Sequence, residues 1–330
     1  MRRVQRLVEW WDLHQVALYL VAIVVGGVVE SIVPTVAPAL EATTNPVLAL
    51  LLFATFLGVP VLELGRAFRD WRFLGTVLIV NFVIVPVVVF GLSRFIADDE
   101  SLLVGLLLVL LTPCVDYVIV FTGLAGGART RLLAATPLLM VAQIVLLPVY
   151  LLLFSGPGVA RHLEIEPFVE AFLSLIVLPL IGAAVVQRLA RRYVFGRRIS
   201  VVMAAAMVPL MMLTLTVFIG SQIAAVGGEI VTLARLLPLY AVFAVIMLVV
   251  GVGASRVAQL DVAARRAVVF SGVTRNPLVV VPLALTLPAN LAIAPLAIVT
   301  QTLVELLTMV LLVRLLPVLI RPSQDHTSHQ

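Results

Sequence analysis

The chain has 330 residues, 62% of them hydrophobic and only 12% charged, with a formal net charge of +5. A soluble domain is about 45–50% apolar and about 25% charged, so a water-soluble globule is excluded, and a mean hydropathy of +1.20 points to a lipid bilayer as the solvent. All 22 basic residues are arginine and sit in short clusters between apolar runs. That is a topology signal rather than the basic face of a nucleic-acid binder.

The single cysteine, Cys114, rules out an internal disulfide. The opening MRRVQRLVEWW precedes an apolar run from Val16 to Val33. This run is longer than the core of a secretory signal peptide and reads as a first transmembrane helix. A span needs about 20 apolar residues. The chain offers Val16–Val36, Val47–Leu64, Phe73–Leu92, Leu102–Leu124 and Leu132–Phe154, then Phe168–Leu189, Val201–Ala224, Leu236–Ala254, Ala263–Leu287 and Leu291–Leu316. Proline, glycine and charge fill the gaps between them.

Arginine counts test this layout. With the N-terminus in the cytoplasm, 18 arginines fall in inside segments and three outside, Arg94, Arg161 and Arg235. The remaining one, Arg275, falls inside a span. Such asymmetry predicts ten helices in the plasma (inner) membrane with both termini cytoplasmic. The tail from 321 to 330 is polar and expected to be disordered.

Shifting the chain by 158 residues lays the fifth span on the tenth. Pro137-Leu138 then meets Pro295-Leu296, Val141 meets Val299 and Gln143 meets Gln301. Chance similarity in an apolar chain also produces such matches. An odd number of spans per half would make residues 1–158 and 159–320 inverted five-helix repeats, a recurring transporter plan.

The fourth and ninth spans are interrupted. Thr112-Pro113 breaks the fourth after about twelve residues, which at 1.5 Å each is near mid-bilayer, and Asp116 follows. Gly272, Asn276 and Pro277 disrupt the ninth at a similar depth, beside Thr274 and Arg275. Paired broken helices in corresponding positions are the best sequence pointer to a transport site, because unwound backbone exposes carbonyls and N–H groups. A charge at a helix centre costs roughly 2.5–3.5 kcal/mol on insertion scales. Asp116 and Arg275 would pair if the broken helices cross. One reading makes the pair a permanent structural salt bridge. The other makes Asp116 a proton carrier and Arg275 a substrate contact.

Cys114 lies beside the first break, where a thiolate suits soft metals and metalloids, although buried cysteines commonly just pack. Glu305, one turn after Gln301 in the tenth span, is a proton or cation-site candidate, with Gln143 as the repeat mate of Gln301. Asn81 and Gln222 are weaker candidates. Glu30 and Glu63 are expected in solvent at span ends, and the Gly123–Gly127 spacing is expected at a close helix contact.

Thr112-Pro113-Cys114-Val115-Asp116-Tyr117, running on to Leu124-Ala125-Gly126-Gly127, resembles the fourth helix of bacterial arsenic-resistance permeases. Thr274-Arg275-Asn276-Pro277-Leu278-Val279-Val280, with Pro282-Leu283-Ala284-Leu285, resembles their ninth. Those proteins group with the bile acid:sodium symporters and arsenite-efflux carriers. The resemblance implies inverted five-helix repeats, crossing helices 4 and 9, and a panel of helices 1, 2, 6 and 7 against a core of the rest. It implies a role in metalloid transport for Cys114. The arsenite carriers typically place a glutamate after the ninth-helix asparagine, where this chain has Pro277, Leu278 and Val279. The sodium-coupled branch uses a glutamate–glutamine pair where this chain has Arg275, which favours proton over sodium coupling.

Enzymatic signatures such as HExxH, GxSxG or a phosphate-binding loop are absent from the sequence, and His14, His162, His326 and His329 fall outside the spans. No cofactor is implied. The expectation is a secondary carrier for arsenite or antimonite, exchanged for protons, with an organic anion imported with sodium or protons as the alternative. A channel or receptor is a third class. Thr112, Cys114, Thr274, Arg275 and Asn276 are the candidate substrate contacts. Asp116, Glu305, Gln143 and Gln301 are the candidates for ion coupling.

Overall fold

The computed structural model describes residues 2–32, 35, 37–58, 70–115, 117–155, 173, 177–285 and 287–321. Asp116, Glu63 and the tail 322–330 lie outside the described residues, and of Gln222 only the backbone is described. The described chain is helical throughout: α1 (Arg2–Ile32), α2 (Ala37–Gly58), α3 (Trp71–Ile79), a π-turn (Val80–Ile84) and α4 (Val85–Ser93). Next come α5 (Glu100–Leu110), α6 (Tyr117–Leu124), α7 (Arg129–Phe154), α8 (Leu178–Ala190) and α9 (Val194–Gly228). The series ends with α10 (Ile230–Ala234), α11 (Leu236–Val257), α12 (Val262–Val273), α13 (Pro277–Leu285) and α14 (Ala294–Leu319).

Five helical stretches are long and apolar enough to cross a bilayer: Trp71–Ile96, Arg129–Phe154, Val194–Val217, Ile230–Val257 and Ala294–Leu319. Shorter apolar helices include Ala49–Gly58, Glu100–Leu110 and Leu178–Ala190. Large apolar side chains such as Phe95, Val249 and Leu307 point outward and are exposed. On a soluble protein such a surface would aggregate, whereas here lipid tails cover it.

Helix starts follow from local chemistry. Asp70, Asp99 and Asp261 accept the N–H groups of Phe73 (3.3 Å), Leu102 (3.0 Å) and Ala264 (3.0 Å), capping α3, α5 and α12. The first helix begins at Arg2, well before the apolar run that sequence periodicity marks as the span.

Two bundles result. Helices α1, α2, α8 and α9 pack chiefly on one another around Tyr19, Ala22, Leu51, Ala54, Met211 and Leu215. Gly26 permits this: a Cβ there would sit 2.6 Å from the Thr216 carbonyl oxygen. The remaining helices form the larger bundle. Within it, Gly105 lets α5 approach α14, since a Cβ would meet Ala297 Cβ at 2.6 Å and the Ala294 oxygen at 2.7 Å. Close contacts thus occur at Gly26 and Gly105. The Gly123–Gly127 spacing does not mark one between two helix faces, because α6 ends at Leu124 and Gly126 takes φ +66° beyond its end.

Charged side chains clip the larger bundle at its ends. Arg131 reaches Asp70 (3.3 Å) and Asp261 (2.5 Å), joining the starts of α3, α7 and α12. Arg266 donates to the carbonyls of Ala125 (2.9 Å) and Ile320 (2.8 Å), satisfying orphan groups where α6 and α14 finish. Beyond the start of α5, Arg235 pairs with Asp98 at 2.7 Å. Glu30, expected in solvent, is buried instead, within the last turn of α1.

Candidate functional site

The α5–α6 interruption begins at Leu111. Pro113 cannot donate a backbone hydrogen bond and its ring disfavours a helical conformation at Thr112. The Thr112 hydroxyl turns back to the Leu108 carbonyl at 2.8 Å. The α12–α13 interruption is short. Helix α12 continues through Gly272 to Val273, so that glycine, expected at the break, is helical. Thr274 is extended at φ −87°, ψ 138°, and its hydroxyl bonds the Phe270 carbonyl at 2.6 Å. Asn276 then starts α13, its Oδ1 accepting the Val279 N–H at 3.3 Å with Pro277 as the first helical residue.

The two breaks pair with each other. Among the described residues the one β-type pairing is an isolated antiparallel bridge between Pro113 and Arg275. Asn276 N–H donates to the Thr112 carbonyl at 2.8 Å, and Cys114 N–H donates to that of Thr274 at 3.4 Å. Residues 113 and 275 are therefore the non-hydrogen-bonded pair of the ladder. The missing N–H of Pro113 leaves nothing unsatisfied there. The N–H of Arg275 is left pointing elsewhere, and Glu305 Oε2 of α14 accepts it at 2.9 Å.

Arg275 is fully buried. Its Nη2 donates to Asn81 Oδ1 at 2.8 Å and to the carbonyls of Ser271 and Gly272, each at 2.7 Å. Its Nη1 lies 3.3 Å from the Leu110 carbonyl, and its Cζ sits 5.6 Å from the Phe243 ring centroid, within cation–π range. Asn81 comes from the π-turn, and its Nδ2 donates to Val77 O and Ser271 Oγ, both at 2.9 Å. The wide turn also releases the Phe82 carbonyl, which accepts from the Tyr150 hydroxyl of α7.

Glu305 is buried, and the same Oε2 accepts from Gln301 Nε2. The oxygen of the same amide, Gln301 Oε1, is buried without a partner, as are Gln143 Oε1 and Asn276 Nδ2. A cavity of ≈ 10 Å³ beside Gln301 and Glu305, walled by Leu110, Tyr240 and Phe243, has room for about one water. A second cavity of ≈ 20 Å³ lies between the bundles, with Tyr19, Met211 and Leu215 facing Phe121, Pro277 and Leu306. Its exposed surface is entirely apolar.

Of the candidate residues, the fold brings Thr112, Cys114, Thr274, Arg275, Asn276, Gln301 and Glu305 into one connected, buried constellation. Gln143 is buried on α7, outside that constellation, with its Oε1 unpartnered. Cys114 is fully buried within the bridge. Asn81, a weak candidate by sequence, is a direct partner of the guanidinium. Ser271 and Phe243 carried no sequence signal, being ordinary members of apolar helices. Among the described residues, no three His, Cys, Asp or Glu side chains converge as a metal site.

Residues 45–228, more than half of the chain, match the sodium bile acid symporter family. The chain belongs to the sodium bile acid symporter family. The matched stretch runs from α2 to the end of α9. It takes in the first break and the small bundle's α8 and α9, but not the second break, Arg275 or Glu305. Membership in a transporter family agrees with the apolar helices of this multi-pass membrane protein. No curated protein matches the chain.

Proposed function

We propose that the protein is a secondary active transporter with ten spans arranged as inverted repeats, its large bundle moving against the α1–α2–α8–α9 bundle to expose the bridged breaks alternately to each side. The leading solute is arsenite or antimonite, exported in exchange for protons. The observation that carries this reading is the place of Cys114: the residue with the chain's one thiol is built into the antiparallel bridge, its backbone N–H donating across it to the Thr274 carbonyl. Trivalent arsenic and antimony are soft centres that favour thiol sulfur. Attack of the thiol on As(OH)3 forms an S–As bond and releases water, and hydrolysis on the far side restores both. Thr112, Thr274 and Asn276 would hold the hydroxyls. Asp116 and Glu305, with Gln301 and Gln143 beside the path, are the proton-carrying candidates, since intramembrane carboxyls serve proton relays.

A second reading, an organic anion imported with sodium or protons, is favoured by the apolar cavity between the bundles and by the family's name. A hydrophobic anion would require the ≈ 20 Å³ space between Tyr19, Met211 and Phe121, room for about one water, to widen as the bundles part, with Arg275 as the positive charge behind the bridge.

Arsenite uptake into everted vesicles, with and without an imposed proton gradient, tests the first reading. Gradient-driven accumulation in the wild type, lost in Cys114→Ser and in Asp116→Asn, is expected. Uptake no greater than in empty vesicles overturns it and directs the assay to labelled amphipathic carboxylates.

A further inference from the structure

The guanidinium of Arg275 sits in surroundings of a particular kind. Three oxygens, Asn81 Oδ1 and the carbonyls of Ser271 and Gly272, lie at 2.8, 2.7 and 2.7 Å from one nitrogen, Nη2. That nitrogen carries two hydrogens for three close acceptors, so at least one hydrogen is shared, and the oxygens crowd a positive centre more closely than one-to-one hydrogen bonds require. The Leu110 carbonyl adds a fourth oxygen to the guanidinium's surroundings. Ser271 and Gly272 lie in the last turn of α12, and Leu110 is the last residue of α5. Two half-helices therefore aim their negative C-terminal ends at one point, reinforced by an amide oxygen from the π-turn. Half-helix C-termini and neutral oxygens at a break are the elements with which carriers bind a small hard cation.

We propose that this locus is a cation-binding site filled permanently by the chain's own guanidinium, and that removing the arginine side chain opens it to a free monovalent cation. A tethered ion cannot dissociate, so no ion gradient is coupled through this point. Coupling in the native protein is left to groups elsewhere, such as the acids of the proposed proton path. The inference goes beyond the solute reading and stands or falls without it, because its test involves no transported solute.

The test compares thermal unfolding of the purified, detergent-solubilised wild type and Arg275→Ala in chloride salts of sodium, potassium and N-methylglucamine at equal ionic strength. Low-millimolar guanidinium is the second probe. The wild-type midpoint is expected to be the same in all three salts. The variant is expected to melt lower in N-methylglucamine and to rise saturably with sodium or guanidinium. A folded variant whose response to sodium and guanidinium is no larger than the wild type's overturns the proposal. If Arg275→Ala does not fold in any salt, Arg275→Lys decides. A folded, sodium-insensitive lysine variant supports a site that needs only a tethered positive charge, and an unfolded one overturns it.

Discussion

Asn276 donates its backbone N–H to the carbonyl of Thr112, 164 positions earlier in the chain, at 2.8 Å, and this bond fixes the register of the two broken helices. Everything at the centre follows from that register. It makes Pro113 and Arg275 the pair that exchanges no hydrogen bonds, and it turns the Arg275 N–H toward Glu305.

Replacing Glu305 therefore acts on the bridge. Glu305→Ala leaves the buried Arg275 N–H and Gln301 amide without their acceptor, a loss of about 1–3 kcal/mol for each stranded donor. The unfolding midpoint in detergent is expected to drop by several degrees. Glu305→Gln keeps an acceptor oxygen and is expected to retain most of the stability while losing proton-driven exchange. Equal stability of the alanine variant and wild type would show that the carboxylate does not support the bridge.

The contact of α5 with α14 depends on a missing methyl group. Gly105→Ala places a Cβ 2.6 Å from Ala297 Cβ and 2.7 Å from a backbone oxygen, so the helices must separate. Overpacking of this kind costs about 1–3 kcal/mol. Since α5 leads straight into the first break, loss of transport is expected alongside the lower midpoint. Gly75→Ala, where a Cβ meets nothing within 4 Å, is the control and should leave both unchanged.

Cys114 is fully buried, and a thiol reacts only when it is reached by reagent as thiolate. Maleimide labelling of the resting protein in membranes is expected to be slow, and to accelerate under conditions that drive cycling. Fast labelling at rest would show that the bridge opens to water without solute.

Acid sensitivity is expected from the bundle ends. Burial pushes the Asp261 carboxyl up, but the Ala264 N–H and the Arg131 guanidinium outweigh it and hold the group below the ordinary aspartate value. Asp98 is lowered chiefly by its hydrogen bond to Arg235. A carboxyl depressed in the folded state contributes stability that is present above its unfolded pKa and lost as pH falls through the folded one. The midpoint is therefore expected to decline below roughly pH 4. The decline should be shallower in Asp261→Asn, as read by thermal scans in buffers of constant ionic strength.

The sequence by itself determined the solvent, the apolar helices and both interruptions. Each is a local property: hydropathy summed over a window, or a proline that removes a donor at its own position. Even so, the residues that marked the second break differ in what they do: Gly272 weakens α12 without ending it, the extended Thr274 ends it, and Pro277 opens α13. Only the tertiary structure decided what Arg275 touches. Among the described residues, oxygens of residues 81, 110, 271 and 272 surround it, and nothing local to any of them marks it as a cation's neighbour. Asn81 looked like a minor polar residue in an apolar span until the π-turn and the packing of α3 on α12 set its amide against the guanidinium. A buried charge announces that partners exist, since isolation in low dielectric is too costly. Which partners they are is fixed by helix packing and bridge register, and those are properties of the assembled bundle.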